Sequence, residues 1–165
     1  MIQGSASSAQ TAVTSTWRSV ATTTSLETSS PEETEAAGEE LGRRLRQGDL
    51  VLLRGELGAG KTTFVRGVAR GCGSAAPVAS PTFQLVRIYP GRLQLAHVDL
   101  YRLEKGDELR DLGLDELLDA GAVVVEWGDR IDRMDGTGGA DAALISIEHI
   151  SGDRRRIRID RDLRR

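Results

Sequence analysis

The chain has 165 residues and a formal net charge of −3 at pH 7, with 39% hydrophobic and 28% charged residues. This length suits one domain with its own core, and the net negative charge argues against a general attraction to nucleic acid. No apolar run approaches the ~20 residues that span a bilayer, and the single cysteine, Cys72, excludes an internal disulfide framework and a multi-cysteine zinc site. We therefore expect a cytoplasmic protein that binds neither membrane nor DNA.

The N-terminal segment differs in composition from the rest of the chain. Residues 1 to about 25 are rich in Ser, Thr and Ala without sustained periodicity, so we expect a mostly disordered extension followed by one domain over residues 26–165. Ser30 is expected to cap the first helix, because Pro31 and two acidic residues follow it. Gly48 is expected to end that helix.

Beyond the first helix, apolar patterning and turn residues define the remaining elements. In chain order they predict a strand, a helix, two strands joined by a turn, a helix, a strand, a flexible loop and a terminal hairpin: LVLLRG, KTTFVRGVARGCG, the pair around YPGR, GDELRDLGLDELLDAG, AVVVEW, MDGTGGADA, and ALISIEHI with RRRIRID. Strands that alternate with helices in this way indicate an α/β fold with helices against the faces of the sheet.

The segment from Gly55 to Thr62, GELGAGKT, fits the pattern G-x-x-x-x-G-K-[ST]. Small residues let successive backbone N–H groups turn towards phosphate oxygens at the start of a helix. Lys61 can reach the β- and γ-phosphates of a nucleoside triphosphate, and the Thr62 hydroxyl can bind Mg²⁺. The residues that we expect at the nucleotide are seven of this segment and the one that follows it: Gly55, Leu57, Gly58, Ala59, Gly60, Lys61, Thr62 and Thr63. The predicted fold is therefore a P-loop NTPase-type three-layer sandwich, with a mostly parallel central sheet and antiparallel edge strands.

Acidic residues end two of the predicted strands. Glu126 follows AVVV, and Asp99 ends LQLAHVD. A phosphate-binding loop needs carboxylates at such strand ends to hold Mg²⁺ or to orient the attacking water. The two acids could divide these roles, and the pattern leaves open which takes which.

Hydroxyl and imidazole groups lie near these acids in the sequence. Ser80 and Thr82, in the segment SPTF, could sense the γ-phosphate as loop hydroxyls do in nucleotide switches; a proline-fixed turn is the equal alternative. His97 is expected to be structural or to support a neighbouring site residue. A transition-metal site is poorly supported, because His149 is the only other histidine and Cys72 the only cysteine that could serve as ligands.

The segments GELGAGKTTFVRG, SPTFQLVRIY, HVDLYRL and EW, in this order, resemble the bacterial tRNA threonylcarbamoyladenosine biosynthesis ATPase family, TsaE (formerly YjeE). The resemblance runs from about Ser30 to Arg158. It implies a small P-loop fold with weak ATPase activity. It also implies two partner proteins, TsaB and TsaD, which modify the adenosine beside the tRNA anticodon, so that tRNA is reached only through the complex.

The resemblance also implies roles for single residues. Lys61, Asp99 and Glu126 correspond to the phosphate lysine, the acid required for hydrolysis and the metal-side acid. The other residues implied at the nucleotide are the loop hydroxyls Ser80 and Thr82, the aromatic Trp127, and Glu33 and Thr34 near the base. Gly128 and Asp129 stand where the family often has proline and an acid. The family's arginine after a glycine-containing turn matches Arg154, Arg155 or Arg156, and the sequence does not decide which.

Other functions remain open at this point. A free-standing small-molecule P-loop kinase is the main alternative, although the segment GDRIDRMDGTGG is short and glycine-rich for the lid that such kinases close. A guanine-nucleotide switch is excluded, because its Asn-Lys-x-Asp motif needs asparagine and the chain has none. The C-terminal arginines could contact RNA directly or form a docking surface for a protein partner.

Overall fold

A computed structural model describes residues 18–20, 23–79, 85–101, 111–126, 142–161 and 163. The helices with described bounds are α1 (Pro31–Arg44), α2 (Lys61–Gly71) and α3 (Leu114–Ala120). The described strands are β1 (Arg18–Val20), β2 (Thr23–Thr28), β3 (Leu50–Arg54), β4 (Val86–Tyr89), β5 (Leu95–Asp99), β6 (Ala122–Glu126), β7 (Ala143–Ser151) and β8 (Arg154–Arg161).

These strands form one sheet in the order β1-β2-β8-β7-β3-β6-β5-β4. The central strands β7, β3, β6 and β5 are parallel, and the pairings on both flanks are antiparallel. The central strands β3, β6 and β5 are short apolar runs because helices cover both faces of this part of the sheet. The predicted α/β fold, with its antiparallel edges and terminal hairpin, is confirmed.

Two apolar clusters lie on opposite faces of the sheet. On one face, α1 and α2 pack through Leu41 and Phe64 against inward-facing residues such as Leu53. On the other face, Leu117 and Leu118 of α3 pack near Val123 and neighbouring strand residues. The sheet is therefore the middle layer of three, and its α1–α2 face is also the face that carries the site.

Helix α1 begins where the sequence predicts. The Ser30 hydroxyl accepts a hydrogen bond from Glu33 N at 3.1 Å, and the Glu33 carboxylate accepts one from Ser29 N at 2.7 Å. This reciprocal capping satisfies two backbone donors at the helix start. The helix ends at Arg44, before the predicted stop at Gly48, because its C-cap residue Leu45 already adopts an extended conformation (φ −65°, ψ 145°).

Helices α1 and α2 are in unusually close contact. A Cβ atom on Gly38 would lie 2.1 Å from Phe64 O, and one on Gly67 would lie 1.8 Å from Glu35 O. Gly42 and Gly71 extend the same contact one turn further along each helix. Only glycine permits this backbone approach, which draws the start of α1 towards the start of α2.

The helix predicted over GDELRDLGLDELLDAG differs in the structure. Gly113 adopts φ +67°, and α3 begins only after it. This left-handed residue ends any helical hydrogen-bond pattern from before it. The part of the predicted helix over residues 106–110 lies outside the described residues, as does the predicted loop MDGTGGADA except for Ala142.

The sheet begins earlier in the chain than the composition indicated. β1 and part of β2 fall within the stretch predicted to be disordered, and β2 pairs along β8 from Thr24↔Ile159 to Thr28↔Arg155. Leu26 is buried in the core beside Ile157. The structure thus has strands over residues 18–20 and 23–25, where the composition predicts disorder: β1 pairs with the adjacent β2, and β2 pairs with the distant β8. Residues 1–17 lie outside the described part of the chain.

Among the residues that the structure describes, no helix has the length and apolarity needed to cross a membrane.

Candidate nucleotide site

The segment between β3 and α2 forms a tight loop at the carboxyl end of the sheet. Gly60 has φ +102°, a conformation that side chains with a Cβ rarely adopt. A Cβ on Gly55 would lie 2.6 Å from Ile147 O, so the loop packs directly against β7. Leu57, by contrast, is 77% exposed at the tip of the loop. The glycines are therefore required by the loop's path, as the motif predicts.

Lys61 is the first residue of α2, and its side chain folds back over the loop. Its ammonium donates hydrogen bonds to Gly55 O at 2.7 Å and Glu56 O at 2.8 Å. The side chain is only 5% exposed. The loop therefore holds a buried cation where the motif places the phosphate-binding lysine.

The start of α2 lacks the stabilising groups found at the start of α1. Its N-cap is Gly60, no side-chain cap hydrogen bond is present there, and its first turn contains no acidic residue. α1 has both a serine cap and acids. N–H groups that no side chain caps, together with the helix dipole, therefore favour an anion at the start of α2.

Glu126 lies next to the loop, at the end of β6. Its Oε1 accepts a hydrogen bond from Thr62 Oγ1 at 3.3 Å and lies 2.9 Å from His97 Nε2. Glu126 is 3% exposed and His97 is fully buried. The structure thus brings together a hydroxyl from α2, a carboxylate from β6 and an imidazole from β5.

Asp99 ends the neighbouring strand β5, where its Cα pairs in register with that of Glu126. Its Oδ1 accepts a hydrogen bond from Tyr101 N at 3.0 Å, and its backbone N donates to Leu85 O. Asp99 is half-buried, so its carboxylate is nearer to solvent than that of Glu126. The predicted pair of strand-end acids lies side by side.

Arg155 and Thr34 line the other side of the loop. A Cβ on Gly60 would lie 3.5 Å from Arg155 Nε and 4.0 Å from Thr34 Cγ2. The buried Thr34 hydroxyl is hydrogen-bonded to that of Thr28 at 2.7 Å. Arg155 Nη1 donates to Gly152 O at 2.7 Å, which holds the side chain near the β7–β8 turn. Of the three candidate arginines, Arg155 is the one at the loop.

The neighbouring arginines form ion pairs on the surface of the sheet. Arg154 and Arg156 both pair with Glu27, at 3.1 and 3.0 Å, and Arg156 also pairs with Glu148. Hydrogen bonds from Arg156 and then Arg154 lower the pKa of Glu27. These two side chains are therefore charge-compensated and do not form a bare cationic stripe.

The remaining predicted site residues are placed as follows. The contacts described for Glu33 are those of the α1 cap, although it lies next to Thr34 in the chain. Thr63 follows Thr62 on α2 and is half-buried. Ser80, Thr82 and Trp127 lie outside the described residues. Sequence reasoning did not single out Thr28 or assign a partner to His97, because only strand pairing reveals these contacts.

The residues present suit a magnesium ion that arrives with a nucleotide. In the described part of the chain, no group of three or more His, Cys, Asp or Glu could hold a metal ion. Nucleotide-bound Mg²⁺ needs only one or two protein oxygens, because phosphate and water supply the others. The Thr62 hydroxyl and Glu126 carboxylate are such hard oxygen donors.

Comparisons with known proteins agree with this geometry. The sequence model of the family described as threonylcarbamoyl adenosine biosynthesis protein TsaE matches residues 28–157. A tRNA threonylcarbamoyladenosine biosynthesis protein TsaE from Streptomyces coelicolor is 46% identical over 130 residues, covering 74% of this chain and 78% of that protein. The protein of the same name from Bacillus subtilis is 46% identical over 108 residues, covering 64% and 67%. The crystal structure of Bacillus subtilis YdiB matches with a TM-score of 0.67 and 31% identity, covering 86% of this chain and 87% of that one.

Proposed function

The chain belongs to the TsaE family of threonylcarbamoyl adenosine biosynthesis proteins, and we propose that it is the ATP-hydrolysing subunit that supports threonylcarbamoyladenosine formation beside the tRNA anticodon. The family and the P-loop fold support nucleotide binding and hydrolysis. We further propose that hydrolysis is weak in the isolated protein, requires Mg²⁺, and depends on a transferase complex of the TsaB–TsaD type.

The observation that carries this proposal is the combination of Lys61, the uncapped start of α2 and the Thr62–Glu126 contact. Each group offers one part of triphosphate chemistry: a cation, backbone N–H donors, and oxygen ligands for a metal ion. A glycine turn formed for structural reasons alone would not need a buried ammonium beside uncapped N–H groups.

In the proposed mechanism, Lys61 exchanges its contacts with the loop carbonyls for contacts with phosphate oxygens. Thr62 and Glu126 would hold the Mg²⁺ ion, which would supply positive charge against the phosphates. Asp99 orients the attacking water, because its carboxylate is in register with Glu126 and nearer to solvent. The proposed metal ligand is thus Glu126, the acid that contacts Thr62.

Arg155 and Thr34 complete the proposed site from the side of β8 and α1. The Arg155 guanidinium can turn from its contact with Gly152 O towards the phosphates, since its Nε already lies near Gly60. A second cation at this point would stabilise charge that develops on the transferred phosphoryl group.

The experiment that tests the proposal is reconstitution. The purified protein is mixed with TsaB-type and TsaD-type proteins, and both ATP hydrolysis and repeated modification of tRNA are measured. We expect hydrolysis to rise in the complex and tRNA modification to stop after few turnovers without this protein. Lys61→Ala should abolish both effects, whereas Arg66→Ala, which removes an exposed cation from the same helix, should retain them.

Two outcomes would contradict the proposal. Repeated tRNA modification that proceeds equally with Lys61→Ala would show that the nucleotide site is not needed. Phosphorylation of a small acceptor in place of phosphate release would identify the kinase that the sequence left as the alternative. The match of the TsaE family over residues 28–157 argues against that kinase.

A further inference from the structure

His97 is a fully buried imidazole beside the candidate magnesium ligands. It lies on β5, two residues before Asp99, and its Nε2 is 2.9 Å from Glu126 Oε1. The same oxygen accepts the hydrogen bond of Thr62. His97 contacts Glu126, the proposed metal ligand, and is not itself expected to contact the nucleotide or the metal ion. Any effect that it has on the site must therefore act through Glu126.

The hydrogen-bond partners of the His97 ring indicate which of its nitrogens carries a hydrogen. An ionised carboxylate can only accept, so the nitrogen that faces Glu126, Nε2, must carry a hydrogen. Nδ1 is buried and has no hydrogen-bond partner in the described structure. An orphaned buried N–H group is rarer and costlier than an orphaned acceptor. The geometry therefore places a ring hydrogen on Nε2, where it faces Glu126.

Neighbouring side chains hold the ring in this position. The Tyr89 ring lies with its centroid 6.4 Å from that of His97, at an interplanar angle of 31°. Tyr89 is itself buried, and its hydroxyl donates to Ala79 O at 3.3 Å. The donor that faces Glu126 is thus fixed by packing before any ligand arrives.

We propose that His97 is a positioning residue, which holds the Glu126 carboxylate against Thr62 so that both are preorganised for nucleotide-bound Mg²⁺. The inference rests on the proposed function, because it takes Glu126 as a magnesium ligand. A neutral donor suits this task, since a lysine or arginine would neutralise the charge that attracts the cation. Loss of such a supporting hydrogen bond typically costs about 10- to 100-fold in metal affinity.

The test compares two polar replacements. The amide nitrogen of His97→Gln can occupy the place of Nε2, whereas that of the shorter His97→Asn corresponds to Nδ1 and does not reach Glu126. Binding of ATP is measured by calorimetry with Mg²⁺ and with EDTA. We expect His97→Asn to lose about 10-fold or more of the Mg²⁺-dependent gain in affinity, His97→Gln to retain most of it, and both to match the wild type in EDTA.

A spectroscopic measurement on the unaltered side chain provides a second test. Long-range ¹H–¹⁵N spectra show which imidazole nitrogen is protonated, and His149→Gln assigns the signals because the chain has only two histidines. We expect the hydrogen on Nε2 of His97. This readout needs no nucleotide and no substitution at position 97.

The outcomes separate the inference from the proposed function. Wild-type protein that binds no ATP, either with Mg²⁺ or with EDTA, would overturn both, and wild-type protein that binds ATP equally in the two conditions would overturn the role of His97 alone. Mg²⁺-dependent binding that His97→Asn retains, equal losses with Mg²⁺ and EDTA, or a hydrogen on Nδ1 would overturn the role of His97 alone. Should His97→Asn fail to fold, a loss of the Mg²⁺-dependent gain in a folded His97→Gln would count against the inference.

Discussion

At the scale of single residues, Glu126 and Asp99 show how burial separates two similar acids. They end adjacent strands in register, yet Glu126 is almost fully buried against Thr62 and His97, while Asp99 is half-buried. The buried carboxylate has fixed partners, and the more exposed one has access to water. This difference in burial is why the proposed mechanism gives the metal ion to Glu126 and the attacking water to Asp99.

We expect Asp99→Asn and Glu126→Gln to slow ATP turnover more than they weaken ATP binding. Positioned acid–base groups typically contribute about 10²- to 10⁴-fold to a rate, whereas Lys61 and the loop amides still hold the phosphates. Turnover and dissociation constants measured on each variant check this, with Asp115→Asn on the exposed side of α3 as the control. Equal losses in turnover and binding would indicate a structural role.

Arg155 differs from its neighbours because it alone lies beside Gly60. We expect Arg155→Ala to weaken ATP binding by about 10-fold or more, since a charge-assisted hydrogen bond contributes roughly 1.5–3 kcal/mol. Arg154→Ala and Arg156→Ala are the matched controls, because exposed ion pairs contribute little. ATP titration of the three variants is the measurement, and a loss with Arg154→Ala as large as with Arg155→Ala would refute the assignment.

Cys72 gives a pH dependence that belongs to the core. Burial raises the pKa of its thiol from 9.0 to about 11, although Arg92 opposes the shift. Above pH 9 the unfolded chain therefore loses a proton that the folded chain keeps, and stability falls as pH rises towards 11. The loss should approach about 3 kcal/mol, because one pKa unit corresponds to ~1.4 kcal/mol.

Urea unfolding of the wild type and of Cys72→Ala at several pH values checks this expectation. The difference in unfolding free energy between the two proteins should change between pH 9 and pH 11, because the variant lacks the thiol. Parallel pH profiles of the two proteins would show that Cys72 does not contribute to the pH dependence of stability.

At the scale of elements, the contact between α1 and α2 sets the geometry around the loop. Gly38 and Gly67 allow each backbone to approach the other, and Thr34 on α1 thereby comes near Gly60. The side of the site opposite Glu126 thus depends on glycines of the α1–α2 contact, which are not themselves part of the loop.

We expect Gly67→Ala to destabilise the protein by a net of about 1 kcal/mol or more. Overpacking costs roughly 1–3 kcal/mol, and the obstacle here is the backbone carbonyl of Glu35, which cannot move as a side chain can. This cost exceeds the roughly 1 kcal/mol that alanine gains over glycine in a helix. Urea unfolding provides the measurement, with the exposed Arg66→Ala as control; an unchanged midpoint for Gly67→Ala would contradict the packing account.

At the scale of the whole molecule, the N-terminal strands extend the sheet beyond its nucleotide-binding centre. β2 covers the edge of β8, buries Leu26 and supplies Thr28 to the hydrogen bond with Thr34. Glu27 on β2 also pairs with Arg154 and Arg156. The start of the predicted domain, at Leu26 to Thr28, therefore supports the strand that carries Arg155.

We expect removal of residues 1–28 to lower stability by about 2–3 kcal/mol, the burial energy of one leucine, and to expose an edge strand that promotes association. A chain that begins at residue 18 is the control, because it keeps every described strand. Thermal unfolding and light scattering measure the two effects. Identical unfolding of the two shortened chains would mean that β2 adds nothing.

The sequence by itself determined the features that depend on neighbouring residues. The loop from Gly55 to Thr62, the cap at Ser30 and the acids Asp99 and Glu126 were predictable, because each lies in a local pattern with one chemical purpose. The resemblance to TsaE depended on the same short segments, and the family match confirms it.

Only the tertiary structure decided the features that depend on distant residues. The pairing of β2 with β8, the selection of Arg155 from three consecutive arginines, and the contact of His97 with Glu126 join positions far apart in the chain. The break at Gly113 was also missed, since an apolar helical pattern continues through it. Strand register determines which side chains meet at one edge of a sheet, and register is set by pairing and packing that no local pattern contains.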